Sequence, residues 1–112
     1  MSTKATSHKP PIEVQNNARR ALELRAKLPS SKRGLTTIGI ARARDLAGGR
    51  PQSVDTLKRM VSFFARHEVD KQSDNWKVGS KGWQAWMAWG GDAGRRWAER
   101  IVAAEMANEP IE

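Results

Sequence analysis

Four of the five tryptophans in this 112-residue chain fall within sixteen residues, from Gly82 to Trp97. With no tyrosine and only two phenylalanines, that stretch holds most of the aromatic mass. Each indole buries roughly 200 Å² when enclosed, so the segment either anchors the core of a small domain or presents an aromatic surface. Trp83, Trp86 and Trp89 are spaced by three and stay on one side of a helix. Proteins that stack single-stranded bases on such rings interleave them with positive charge, whereas here the local charge is near zero. The tryptophans are therefore expected in the core, with Trp83 the most exposed.

Helical spacing recurs along the rest of the chain, and no alternating strand pattern appears. Residues 1–9 are small and polar and read as a mobile tail. Pro10-Pro11 opens a first helix carrying Val14, Ala18, Ala21, Leu22 and Leu28, and Pro29 closes it. A second helix is predicted from Thr36 to Ala47, with Ile38, Ala41 and Leu46 inward and Gly48-Gly49 as its stop. Ser53 caps a third, to His67, whose stripe is Val54, Leu57, Val61 and Phe64. A fourth spans Ser80–Trp89, and Asp92 caps a fifth, with Trp97, Ile101, Val102 and Ala104 on its buried side. The expected fold is all-α: one bundle of about five helices over residues 10–108, a helix-turn-helix-like unit, a Trp-rich C-terminal helical pair, and fraying over 109–112.

Charge directs the functional reading. Residues 1–34 carry eight Lys/Arg against two acids, giving +6; residues 35–72 carry seven against four, giving +3; residues 73–112 carry five against six, giving −1. A small protein with pI near 10.6 and its charge concentrated in one part tends to meet a polyanion. The order helix, tight turn, capped helix over residues 36–67 is how helix-turn-helix units read, and Lys58 and Arg59 sit where a recognition helix meets nucleic acid. Arg42, Arg44 and Arg50 flank that unit as phosphate contacts, followed by Lys32 and Arg33, then Arg19 and Arg20. A plain helical pair with a solvated basic outside fits the same residues.

Other motifs point away from chemistry. Gly90-Gly91-Asp92-Ala93-Gly94 lacks the strand and the Gly-Lys-Ser/Thr of a phosphate loop, and reads as a structural corner. His67-Glu68 has no second histidine at zinc-site spacing, and the chain has no cysteine. Neither a nucleophile–base pair nor paired catalytic carboxylates can be found, so no enzyme activity, cofactor or metal is expected. No apolar run is long enough for a membrane span, and a reducing, intracellular setting is expected.

The strings Ala18–Arg25, Ile40–Ala47, Asp55–Met60, Phe63–Lys71 and Ala85–Gly94, the last holding Trp-Gly-Gly-Asp-Ala-Gly, together resemble a small helical module of tailed-bacteriophage proteins. The resemblance covers most of residues 11–102. It implies a phage origin, hence the host cytoplasm or the virion, and carries no catalytic or binding residues. The stretch between Lys71 and Trp83 is short for that module. The expected function is a non-enzymatic phage protein that binds duplex DNA through helices two and three. The alternative is a protein-interaction module, as a virion accessory factor or an inhibitor of a host protein.

Overall fold

A computed structural model describes residues 7–107, an all-α bundle with one two-residue β pair. Residues 1–6 of the expected tail and the expected fraying at 109–112 lie outside the described residues. Ser7–His8 (β1) pairs antiparallel with Gln52–Ser53 (β2). His8 also lies 3.6 Å from Glu105, so this end of the expected tail is held against the body of the protein. Pairing costs little here, because Gln52 and Ser53 are already extended before the helix that follows.

Helix α1 (Ile12–Lys27) follows Pro10-Pro11 and buries Val14, Ala18 and Ala21, one face at i, i+4 and i+7. Helix α2 (Thr37–Ala47) begins at Thr36, whose hydroxyl accepts from the Gly39 amide at 3.0 Å. It ends in a Schellman turn: the Gly49 amide donates to Leu46 and the Arg50 amide to Asp45, both at 3.0 Å. The buried face of α2 is Gly39, Ala43 and Leu46, which packs on α1. Ile38 and Ala41, expected inward, are exposed, Ile38 to 68%. Ala43 and Leu46 set the face that packs on α1, and Ile38 lies well away from that face around the helix.

Helix α3 (Val54–Lys71) starts at Ser53, whose Oγ accepts from the Thr56 amide, and buries Leu57, Met60, Phe63 and Phe64. It runs four residues past the predicted end. Its last turn is tied by side chains: Glu68 and Lys71 pair with Arg95 and Asp92, and His67 Nδ1 lies 3.0 Å from Asp70. Helix α4 (Lys81–Ala88) is capped by Ser80 and touches every other helix. Helix α5 (Gly91–Ala107) packs chiefly on α3 and buries Trp97, Ala98 and Val102. Ala104, expected on that face, is exposed: it shares the side of Trp97 at i+7, at the edge of a stripe centred on Ala98 and Val102.

The aromatic cluster is the centre of the bundle. Phe64 meets Trp86 edge-to-face at 4.8 Å, Phe63 stacks on Trp89 at 4.6 Å and 9°, and Trp76 meets Trp86 at 6.2 Å. Trp83 is buried, with Arg20 over its ring, contrary to the exposure expected of it. Trp89 and Trp76 are the partly exposed tryptophans.

Asp92 is not a cap but a first-turn residue of α5. Its carboxylate accepts from Trp86 Nε1 at 2.9 Å and from Lys71 Nζ at 2.8 Å, while Lys71 lies over the Trp86 ring. The Lys71 hydrogen bond, aided by the indole and opposed by partial burial, holds the Asp92 carboxyl below its ordinary value of 3.8. A carboxylate lowered on folding stabilises the protein above that ordinary value, and the contribution is lost as pH falls through the lower folded value. Melting temperature followed from about pH 5 down to pH 2 should show this loss, and Asp92→Asn should flatten it. Because Asp92 is 58% exposed, the expected amplitude is below about 1 kcal/mol after solvent screening.

Candidate nucleic-acid interface

A groove of about 1170 Å³ lies between the start of α2 and the outer side of α3, with α4 beneath. The succession helix, tight turn, helix over residues 37–71 is present. Its two helices pack on different partners, α2 on α1 and α3 on α5, with little contact between them. Both frame the groove. Leu57, Met60 and Phe64 point α3 at the core, which leaves Lys58, Arg59, Ser62 and Arg66 on its open side.

Five cations line this groove: Arg33 from the connector, Lys58, Arg59 and Arg66 from α3, and Lys81 from the first turn of α4. No aspartate or glutamate lines it. Among the described residues, Lys58, Arg59, Arg66 and Lys81 have no carboxylate within ion-pair distance. Arg33 bonds to the carbonyls of Leu28 and Ala26, at 2.9 and 3.2 Å, which fixes its position without neutralising it. A cluster of like charges with no internal counterion attracts anions and stays weakly satisfied until one arrives.

The connector is built to hold its wall in place. Gln84 is fully buried in α4; its Oε1 accepts from the Gly34 amide at 2.8 Å, and its Nε2 donates to the carbonyls of Lys32 and Gly79. Between that clasp and the Thr36 cap sits Leu35, with φ of +77°, the described non-glycine residue with left-handed backbone. Such a conformation costs a leucine about 1–3 kcal/mol, and the flanking hydrogen bonds on either side hold it.

Of the residues expected to touch nucleic acid, the groove gathers Arg33, Lys58 and Arg59. Arg44 and Lys32 are exposed elsewhere. Arg42 is largely enclosed: it donates to Gln52 Oε1 at 2.8 Å, lies 3.9 Å from Asp45, and sits over the Trp89 ring. Burial lowers its guanidinium from the ordinary value and the Arg59 charge adds to this, against the opposing pull of Asp45. Arg50 is exposed but lies 3.4 Å from Asp45. Arg19 bonds to Asn16 and to the Ala47 carbonyl, joining α1 to the end of α2. Arg20 covers Trp83.

Sequence reasoning missed Arg66 and Lys81. Arg66 was within reach, standing seven residues beyond Arg59 on the same helical face. Lys81 carried no signal, since only the packing of α4 beneath α2 and α3 brings it here. Among the described residues no group of three histidines, aspartates or glutamates is placed to hold a metal, and no helix is long and apolar enough to cross a membrane. Comparison with protein-family models, curated proteins and solved structures finds no match to this chain.

Proposed function

We propose that the protein is a non-enzymatic nucleic-acid-binding protein that grips phosphates of duplex DNA with the open side of α3 and the facing rim. The observation that carries this reading is the convergence of five cations, from three separate segments, on one groove with no acid. Phosphates are met by such side chains and by helix N-termini, and the starts of α2 and α4 both border the groove. In keeping with the phage-module resemblance, the protein would act in the host cytoplasm or the virion.

Binding to labelled duplex DNA across a salt series tests this. Affinity should be micromolar or tighter at low salt and fall steeply as salt rises. Lys58→Ala, Arg59→Ala and Arg66→Ala should each weaken binding evenly across sequences and reduce the salt slope by about one unit. Arg20→Ala should leave the slope unchanged, because that side chain covers Trp83. No binding at low salt, or equal slopes for all four variants, would sink the proposal.

A further inference from the structure

The floor of the groove has a chemistry that phosphates do not use. Beside the cations, the groove is lined by Leu35, Ile38, Phe63, Ala85 and Trp89. Ile38 is 68% exposed, although the same helix buries Ala43 and Leu46 completely. Leu35 reaches this floor from a left-handed backbone position that glycine would occupy without strain. An unpaired base would need a free aromatic face, and here the rings already cover one another: Trp89 stacks on Phe63 and carries Arg42 over it, while His67 lies against Phe63 at 4.5 Å. What the lining adds beyond these rings is the aliphatic surface of Leu35, Ile38 and Ala85, which suits aliphatic side chains.

From this we infer that the groove is a docking site for an acidic amphipathic helix of a partner protein. The charge pattern selects that occupant. A helix laid in the groove puts its apolar stripe on the floor and its flanking carboxylates against the five cations of the rim. The length agrees as well: the α3 wall runs from Lys58 to His67, about 14 Å at the helical rise, enough for anchors at i, i+4 and i+7. A purely polar acidic segment would leave the floor wet, and a neutral amphipathic one would leave the rim without counterions. Since this inference rests on the apolar floor, it stands or falls separately from DNA binding, although the two ligands share the rim and should compete.

The test uses the full chain and a fluorescein-labelled synthetic helical peptide of four turns, with leucines at i, i+4, i+7 and i+11 and glutamates on both flanks. Two controls accompany it: the same peptide with glutamine for every glutamate, and a scrambled peptide of identical composition without the stripe. Anisotropy titration should give saturable binding to the first peptide and affinities at least about tenfold weaker for both controls, as expected for losing either the charge pairing or one buried aliphatic anchor. Ile38→Asn, a change at an exposed position whose folding is checked by circular dichroism, should weaken the peptide by about tenfold and leave duplex DNA affinity unchanged. Lys58→Ala should weaken both ligands. If the scrambled peptide binds equally well, if Ile38→Asn leaves peptide affinity unaltered, or if no peptide binds, the inference is overturned. It is also overturned if single-stranded oligonucleotides, rather than the peptide, become sensitive to Ile38→Asn, since the groove would then read unpaired nucleotides. Peptide binding without DNA binding would sink the nucleic-acid proposal and leave this one standing.

Discussion

Gly90→Ala should lower the melting temperature by on the order of 15 °C. Gly90 has φ of +107°, and a Cβ there would stand 2.8 Å from Val14 Cγ1 and 2.9 Å from the Gly94 Cα. The second neighbour is backbone in the first turn of α5 and cannot swing aside. Backbone strain of about 1–3 kcal/mol adds to an overpacking cost of about the same size, against a total stability of about 5–15 kcal/mol. Gly82 provides the control. It lies inside α4, and its added Cβ would meet Trp76 at 3.5 Å and Asp70 Cβ at 3.7 Å, both ordinary contacts. Gly82→Ala should therefore be neutral or stabilising by up to about 1 kcal/mol. Thermal melts by circular dichroism would show both, and a Gly90→Ala protein melting within two or three degrees of the parent would refute the account of the α4–α5 corner.

Gln84→Leu should cost about 3 kcal/mol and, unlike the glycine change, should also loosen the groove. The side chain is fully buried, and its three hydrogen bonds join α4 to Lys32, Gly34 and Gly79. Leucine matches the volume but strands one amide and two carbonyls, and an unpaired buried group costs about 1–3 kcal/mol. The penalty is held near the low end because Gly34 and Gly79 lie near enough to solvent for water to enter. Freed of the clasp, the connector would no longer be held beside the Thr36 cap, and Leu35 would relax toward an unstrained backbone. Hydrogen exchange at the Gly34 amide reads this directly: it should rise to the rate of a surface amide in Gln84→Leu. Slow exchange there in the variant would show that the clasp is not what fixes the wall.

These two sites mark where sequence reasoning stopped. Caps and terminators act over three or four residues, so Ser53 announced α3 and Gly48-Gly49 a turn, while Thr36 and Ser80, where helices were expected to start, prove to be their caps. The period of α3 was legible because large apolar residues repeat on one side of it. In α2 the same method placed Ile38 and Ala41 inward, whereas Ala43 and Leu46 set the face that packs on α1. Trp83 was misplaced for a related reason. Its exposure depends on Arg20 reaching over it from another helix, and nothing near position 83 records that.

The candidate site divides along the same line. By itself the sequence determined an all-α chain, its helix starts, an aromatic core, and a surplus of positive charge in its first two thirds, all consequences of composition and of interactions within a few residues. Only the tertiary structure decided which cations act together. It enclosed Arg42 against Gln52 and Trp89, set Arg19 and Arg20 to joining and covering helices, and brought Arg33 and Lys81 to face α3. The physical reason is that periodicity fixes where a side chain points on its own helix, whereas a groove depends on how helices are clasped. Here that clasp is Gln84 holding a backbone amide 50 residues away in the chain.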